Sequence, residues 1–221
     1  AARGAARRRS FKRLLASPDV CPQSQVRVGD QQIGLLDLVT EHLATLRAEV
    51  AAQVEDDNLE AVVGVPAHAH TAQRFITLEA FRRAGFGVLG MVNEPSAASF
   101  EYTHRQPRSV TSRRNQVVVY DLGGGTFDAS LVEVEQTRHV VVSSVGLNDL
   151  GGDDFDEVLA DCALAQAGGT DLPEPERSRL LDEAREAKER LTPQARRVSV
   201  EVAGQQVAVP VDQFYEAATA L

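Results

Sequence analysis

Three consecutive glycines, Gly123–Gly125, separate two segments that have the composition of β-strands, residues 116–121 and 126–135. A third segment of the same kind, residues 138–146, follows after a short link. Three strands in succession with short links predict an antiparallel meander. Because glycine has no side chain, the turn between the first two strands can adopt a positive φ and can be approached closely by another group.

Two acidic residues, Asp121 and Asp128, flank this turn, and Thr126 adds a hydroxyl group. Successive backbone N–H groups form a site for anions such as phosphate. Carboxylates repel a bare phosphate, so these acids indicate a cation between them and the phosphate, because hard metal ions bind carboxylate oxygens. The stretch therefore predicts a phosphate-plus-metal hairpin, with an ordinary β-hairpin and a flexible glycine turn as the alternative. It is not a Walker loop, which requires a lysine and a following helix.

Upstream of the glycines, the apolar residues alternate between helical and strand patterns. A helical repeat covers residues 34–53, and apolar strands are predicted at 61–67 and 88–92. The helix between these strands is predicted to be N-capped by Thr71 and to stop at Gly85. A further helix follows the second strand, so the order strand, helix, strand, helix predicts an α/β fold with parallel strands.

A polar, basic connector at residues 104–115 is the predicted boundary between two lobes, 1–112 and 113–221. The second lobe is predicted to contain the meander (113–150) and a helical and β subdomain (151–221). That subdomain begins with a Gly-Gly turn leading into a helix whose first turn is acidic.

The rest of the subdomain is predicted to contain a charged helix, a β-hairpin and a last helix. The charged helix, "PEPERSRLLDEAREAKERL", has oppositely charged i,i+4 pairs, including Arg185–Glu189 and Glu186–Arg190. The alternating segments "RVSVEV" and "QVAVPV" predict the hairpin, and the last helix opens at Asp212. Because the sequence stops inside this helix, we expect the chain to be a piece of a larger domain.

Composition excludes several classes of function. The formal net charge is −9, which disfavours general binding to nucleic acid or anionic membranes. The cysteines, Cys21 and Cys162, are far apart and are expected to be reduced thiols of a cytosolic protein. The start, "AARGAARRRSFKRLL", has the composition of a transit peptide or a nucleic-acid arm, but an amphipathic helix with Phe11, Leu14 and Leu15 on one face is favoured.

Two more segments contain polar groups that can act at a site. In "NEPSAA", Glu94 lies at a strand end and at a helix N-terminus, where Pro95 suits the first turn. A carboxylate there can orient a water or hold a hydrated metal, and a plain N-cap is the alternative. His68 and His70 follow Pro66 without further metal-ligand spacing, which predicts a surface turn.

These motifs together resemble the Hsp70 chaperones. "VYDLGGGTFDASLVEVE" is similar to the second phosphate loop of that family, and "GLNDLGGDDFD" resembles its next block. The stretch from "VVGVPAHAH" to "NEPSAASFEY" looks like the strand, helix and strand that lead into its "NEP-T/S-AA" helix, and "SFKRLL" resembles its upstream Lys-Arg helix. The resemblance covers nearly all of residues 9–221. The phosphate loop alone occurs across the actin-like ATPases, whereas the combination is specific to Hsp70-like proteins.

The resemblance implies an α/β, actin-like ATPase (ribonuclease H-like) fold of two lobes, with mixed sheets flanked by helices, incomplete at both ends. It implies ATP or ADP in the cleft between the lobes, with Mg²⁺ and K⁺ as cofactors, and phosphoryl transfer by positioning and charge neutralisation. The residues it assigns are as follows: Asp121 in the metal shell, Asp128 at a monovalent cation, Glu94 at the attacking water or the Mg²⁺ shell, Gly123, Gly124, Gly125 and Thr126 at the phosphates, Gly151 and Gly152 shaping the phosphate cleft, Lys188 near adenosine, and Pro66 and Arg74 relaying the nucleotide state.

The resemblance also implies partners. Unfolded polypeptide clients are expected to bind through a domain absent from this chain, and a nucleotide exchange factor and a J-domain co-chaperone are expected as regulators. Asn93 and Ser96 fit the pattern for J-domain docking, whereas Gly90 stands where the family often has a basic residue. The implied location is the cytoplasm.

Two departures from the family pattern matter. No segment is assigned to the family's first phosphate hairpin, its first metal-side aspartate or its catalytic lysine, so we expect the isolated chain not to turn over ATP. In the helix expected to line adenosine, Arg185 stands where the family has a glutamate and Glu189 where a basic residue is common. The alternatives are therefore another actin-fold ATPase, such as a sugar kinase or filament protein, or a non-catalytic, regulatory relative of Hsp70.

Overall fold

The computed structural model describes residues 11–111, 113–169 and 171–221. In the described part of the chain, residues 122–126 and 149–221 form one compact unit, called here the C-terminal unit, and residues 11–121 and 127–148 form the other, the larger unit. The arginine-rich start up to Ser10 lies outside the described residues. The described chain begins with a short helix, α1 (Phe11–Ala16), in which Leu15 is buried.

The first core of the larger unit is formed by two helices and a hairpin. The hairpin, β1 (Gln25–Val28) and β2 (Gln31–Gly34), leads directly into α2 (Leu35–Val54), which packs against α3 (Thr71–Arg83). The 3.6-residue period of apolar residues predicted α2, and three of these residues, Leu35, Val39 and Leu43, are buried in the core. The cluster is completed by the following residues of other elements: Leu15, Val20, Val26, Ile76, Ala80 and Ala84.

The predicted parallel pair of strands is confirmed. Strands β3 (Glu60–Val65) and β4 (Gly87–Asn93) pair in parallel, and α3 connects them. The predicted N-cap of α3 is wrong, because His70 and not Thr71 precedes the first helical residue. His70 has an extended backbone, and its Nδ1 accepts a hydrogen bond from the Gln73 amide at 3.3 Å. Helix α4 (Glu94–Arg105) follows β4 at once, with Pro95 in its first turn as predicted.

The three strands predicted around the glycines form one sheet in the order β5 (Gln116–Leu122), β6 (Phe127–Glu135) and β7 (Arg138–Leu147). Strands β6 and β7 are antiparallel, and their register places Asp128 opposite Gly146. The register shifts between Leu131 and Val132. The turn between β5 and β6 belongs to the C-terminal unit, whereas the strands belong to the larger unit.

The C-terminal unit has its own core. Its elements are α5 (Gly152–Gln166), α6 (Glu174–Glu189), β8 (Arg197–Val202), β9 (Gln205–Pro210) and α7 (Val211–Ala218). Strands β8 and β9 form the predicted antiparallel hairpin, and its two-residue turn places Ala203 and Gly204 at positive φ. Every second residue of β8 is buried, because side chains alternate between the faces of a strand. These strands pack on the helices through Leu159, Ala163, Leu180 and Phe214.

The described chain is therefore a mixed α/β protein, which confirms that prediction at this level. The predicted division into two lobes of an actin-like fold stays a prediction. Cys21 is exposed and Cys162 buried, and both are free thiols. Within the ranges described, no helix has the length and apolar character needed to cross a membrane.

Candidate phosphate-binding turn and acidic site

The glycine turn is fixed by backbone hydrogen bonds inside the C-terminal unit. The Gly123 amide donates to the Thr126 carbonyl at 2.9 Å and closes the turn. The amides of Gly152 and Asp153, at the start of α5, donate to the carbonyls of Gly123 and Gly124 at 2.9 and 2.7 Å. The predicted turn and the predicted Gly-Gly segment are thus brought together, and the first amides of α5 hold the turn in place.

Close approach of the backbone explains why Gly151 is glycine. A Cβ atom on Gly151 would lie 2.5 Å from the Gly124 carbonyl oxygen, a distance that real Cβ atoms essentially never show. Its φ of −174° is ordinary extended backbone, and neither it nor Gly123–Gly125 is among the described residues with positive φ. Of the two reasons for glycine that the sequence offered, close approach applies here and positive φ does not.

Lys188 of α6 is held by groups at the start of α5. Its Nζ lies 2.7 Å from Asp156 Oδ1 and donates to the Gly152 carbonyl, also at 2.7 Å. Asp156 is only 1% exposed, so its charge is compensated inside the protein by this lysine. The lysine that the resemblance assigned to adenosine therefore lies next to the braced turn and ties α6 to it.

The two exchanged charges on α6 pair with each other. Arg185 Nε donates to Glu189 Oε1 at 2.9 Å, and both side chains are more than half exposed. This hydrogen bond raises the pKa of Arg185 and lowers the pKa of Glu189. The other predicted pair, Glu186 with Arg190, is also present. The sequence predictions of both ion pairs are confirmed.

A second group of predicted site residues lies within the larger unit. Glu94, Asp121 and Asp128 line one cavity of about 150 Å³ together with Pro66 and Pro95. Glu94 is at the first position of α4, Asp121 near the end of β5 and Asp128 near the start of β6. Glu94 lies more than 20 positions from the other two acids in the sequence, and the fold brings all three carboxylates to one small space.

Lys12 is a residue of this group that the motifs did not single out. Its Nζ lies 3.3 Å from Glu94 Oε1, across 82 positions of the sequence. The only sequence signal for it was the similarity of "SFKRLL" to the Lys-Arg helix of the family. A pairing over that separation cannot be derived from local patterns, because it depends on how α1 packs in the larger unit.

Asp128 is largely buried and lies close to other charged groups. Burial raises its pKa most strongly, repulsion from Asp121 raises it further, and attraction to His68 and Lys12 opposes both effects. Its Oδ1 lies 3.2 Å from Nδ1 of His68. The predicted surface turn is confirmed at His68, which is an exposed turn residue, and its side chain also reaches an acid of the candidate site.

Arg74 connects the turn after β3 to the start of α4. Its Nε donates to the Ala69 carbonyl and its Nη2 to Asn93 Oδ1, both at 2.9 Å, with longer contacts to the carbonyls of Pro66 and Ala67. The proline and the arginine that the resemblance singled out are therefore in contact, and Asn93 is held by the same arginine.

Ser96, the other residue of the predicted J-domain surface, also makes an internal contact. Its Oγ donates to the His139 carbonyl at 3.1 Å and so connects α4 to β7. The neighbouring Ser99 is fully buried, with its Oγ 2.9 Å from His139 Nδ1. The polar groups at the start of α4 thus hold the helix on the sheet of the larger unit.

Taken with the fold, these arrangements define a mixed α/β chain with a braced, glycine-rich turn and a cluster of acids at strand and helix ends. A family model described as "Hsp70 protein" matches residues 13–212. The chain belongs to the Hsp70 family. This favours a chaperone relative over the sugar kinases and filament proteins kept as alternatives.

The relatives that resemble the chain are chaperones. A chaperone protein HscA homolog of Burkholderia mallei (strain SAVP1) is 41% identical over 177 residues, which are 78% of this chain and 28% of that protein. The homolog of Burkholderia pseudomallei (strain K96243) gives the same values. Chaperone protein HscA of Enterobacter sp. (strain 638) is 41% identical over 180 residues, 81% of this chain and 28% of that protein. The chain spans a little over a quarter of the length of these relatives.

Proposed function

We propose that this chain forms part of the nucleotide-binding domain, with an actin-like fold, of an ATP-dependent Hsp70-type molecular chaperone. The observation that supports this best is the glycine turn whose carbonyls accept the first amides of α5. A turn fixed in this way can receive phosphates without rearranging, and preorganised donors are the main source of electrostatic stabilisation in phosphoryl transfer. The names of the relatives support the chaperone part of the proposal.

The phosphates are proposed to bind at Gly124, Gly125 and Thr126, through backbone amides and the threonine hydroxyl, whereas the amide of Gly123 already donates to the Thr126 carbonyl and closes the turn. Gly151 and Gly152 act by shaping this turn, and Lys188 keeps α6 beside it. Because the amide of Gly152 already donates to Gly123, we assign Gly152 a supporting role and no phosphate contact of its own.

The acids of the larger unit suit a magnesium ion. Mg²⁺ is usually bound by one or two carboxylates, with the remaining positions taken by water and phosphate oxygens. Asp121 fits this pattern, and the described residues contain no group of three or more acids, histidines or cysteines that would enclose a metal by itself. When bound, the ion would neutralise charge on the phosphates. Glu94 is proposed to orient the attacking water.

Lys12 is proposed as the cationic partner of Glu94. An ammonium group 3.3 Å from Glu94 Oε1 fixes the carboxylate and adds positive charge near the site of the attacking water.

Partners and regulation of the whole protein are proposed on the same basis. Unfolded polypeptides are the proposed clients, and a J-domain protein and a nucleotide exchange factor are the proposed regulators. The contacts of Arg74 with the Pro66 turn and with Asn93 support a relay of the nucleotide state from this part of the larger unit. A cytoplasmic location is part of the proposal.

The test is calorimetry of ATP binding to the protein expressed from its whole reading frame, with and without Mg²⁺. We expect Asp121→Asn to weaken magnesium-dependent ATP binding by about tenfold or more, because a carboxylate ligand of the ion is lost. Asp30→Asn is the matched control, since Asp30 is an exposed turn residue, and it should bind like the wild type. Absence of ATP binding, or equal binding by Asp121→Asn and the wild type, would contradict the proposal.

A second candidate function, a regulatory Hsp70 relative without ordinary adenosine recognition, is favoured by the ion pair between Arg185 and Glu189. Groups that pair with each other are less available to a ribose or a base. We therefore compare ATP with inorganic triphosphate on the same protein. Equal affinity for the two ligands supports this second function, whereas tighter binding of ATP together with steady hydrolysis rejects it.

A further inference from the structure

The carboxylate of Asp128 is close to an imidazole and lacks a well-formed partner. His68 Nδ1 lies 3.2 Å from Asp128 Oδ1, and in the described part of the chain Oδ1 is buried without a hydrogen bond. The Asp128 side chain is 17% exposed. A buried carboxylate oxygen requires a compensating donor or cation, because its loss of water is costly.

Gly146 makes room for both side chains. It lies opposite Asp128 in the pairing of β6 with β7. A Cβ atom on Gly146 would be 2.5 Å from Cε1 of His68 and 2.7 Å from Oδ1 of Asp128. The imidazole and the carboxylate thus lie close together next to the backbone of β7, where Gly146 has no side chain. The imidazole therefore occupies one side of this oxygen.

We propose that His68 takes the place of the monovalent cation at Asp128 by donating its Nδ1–H to Oδ1. A small rotation of the ring aligns the two atoms that already lie 3.2 Å apart. Neutral imidazole with the proton on Nδ1 has this donor, and so does imidazolium, so the contact does not require a change of protonation. His68 is a positioning residue, which fixes the carboxylate without touching the phosphates.

The proposal rests on the proposed function, because it assumes that Asp128 belongs to the nucleotide site. Its consequence is a nucleotide site that does not need potassium. The other charged groups near Asp128 in the larger unit are Asp121, Glu94 and Lys12, and Lys12 pairs with Glu94. Asp128 therefore requires a donor or cation of its own, and Nδ1 of His68 lies within reach of its Oδ1.

The experiment measures ATP affinity with Mg²⁺ in potassium chloride and in choline chloride, each at about 0.15 M. It uses the protein expressed from its whole reading frame, as the wild type and as His68→Phe, which keeps a flat ring and removes the donor. His68→Gln retains an N–H donor. His104→Phe is the matched control, because His104 is an exposed histidine of the same unit that stacks on Phe100.

We expect the wild type, His68→Gln and His104→Phe to bind ATP equally in both salts. His68→Phe should bind about tenfold more tightly in potassium than in choline, the factor supplied by an ion present at ten times its dissociation constant. Potassium dependence of the wild type equal to that of His68→Phe would overturn the proposal, and so would equal binding by His68→Phe in both salts.

A second variant covers the case in which His68→Phe does not fold. His68→Leu also removes the donor and leaves Gly146 and Asp128 unchanged, and it should acquire the same potassium dependence. Its independence of potassium would then overturn the proposal.

Melting temperatures without nucleotide separate this proposal from the proposed function. In choline chloride, His68→Phe and Asp128→Asn should show coupled effects on stability, because the two side chains contact each other. If the two substitutions change the melting temperature additively, the proposed contact between His68 and Asp128 is contradicted, even where ATP binds normally. A different combination of results would overturn only the proposed function. In that case the effects on stability are coupled, potassium raises the melting temperature of His68→Phe alone, and no variant binds ATP.

Discussion

At the scale of single residues, the ion pair of a buried carboxylate contributes to the stability of the protein. Asp156 is 1% exposed and forms an ion pair with Lys188 at 2.7 Å. Removing one member of a buried pair leaves the other without compensation, which costs far more than losing an exposed pair. We expect Asp156→Ala to lower the free energy of unfolding by about 3 kcal/mol, as measured by urea denaturation.

The control for this prediction is an exposed pair on the same helix. Glu186 pairs with Arg190 on the solvent face of α6, and such i,i+4 pairs contribute about 0.3–0.5 kcal/mol. Glu186→Ala should therefore change stability by no more than this amount. Equal losses for Asp156→Ala and Glu186→Ala would show that the buried pair does not stabilise the C-terminal unit.

The raised pKa of Asp128 predicts how the stability of the protein changes with pH. Burial raises its pKa above the ordinary value of 3.8, so the folded protein binds this proton more tightly than the unfolded chain. The resulting stabilisation is fully present below pH 3.8 and is lost as the pH rises through the folded pKa. We expect the stability of the wild type relative to Asp128→Asn to fall over this interval, measured by chemical denaturation at a series of pH values. A relative stability that rises with pH would contradict the burial effect.

At the scale of elements, the start of α5 and the turn after β5 act as one support. Gly151→Ala places a Cβ atom 2.5 Å from the Gly124 carbonyl oxygen, so the turn and the helix must separate. We expect a loss of about 1–3 kcal/mol in the free energy of unfolding and weaker ATP binding. Both are measured on the same preparation, by urea denaturation and by calorimetry.

Gly90→Ala is the matched control for this change. Gly90 lies in β4, also without positive φ, and an added Cβ would meet nothing within 4 Å. Because alanine loses less backbone entropy on folding than glycine, this variant should be as stable as the wild type or about 0.5–1 kcal/mol more stable. If both variants behave alike, close packing at Gly151 does not control the turn.

Some helices and strands can be predicted from local sequence patterns alone, and others cannot. Alternation in "RVSVEV" and "QVAVPV" predicted the hairpin of β8 and β9, and helical spacing predicted α2 within one residue at each end. The start of α3 was predicted less well, because a threonine is a common N-cap and a histidine is not, and only the contact of His70 with the Gln73 amide decides between them.

At the scale of the whole molecule, several strands of the larger unit expose apolar side chains. Val118 and Tyr120 on β5 are 71% and 70% exposed, and Leu89 on β4 is 65% exposed. Such faces favour association, especially on strands with unpaired edges. We expect the 221-residue chain to self-associate in sedimentation velocity experiments, with a fraction that grows with concentration.

Variants that change only exposed residues test this prediction of self-association. Val118→Thr combined with Tyr120→Thr should raise the monomer fraction, because the apolar face of β5 is reduced. Leu46→Thr changes an exposed leucine of α2 and should leave association unchanged. A clean monomer of the wild-type chain at every concentration would contradict the prediction.

The sequence by itself determined the order of the strands and helices, the glycine turn as a candidate phosphate site and membership of the Hsp70 family. Those features depend on residues that are close together in the chain, where spacing and residue type carry the information. Only the tertiary structure decided that Lys12 meets Glu94, that His68 meets Asp128, and that Lys188 is held by Asp156. Each of these contacts joins residues at least 30 positions apart, and their distance is set by the packing of whole elements and not by any local preference.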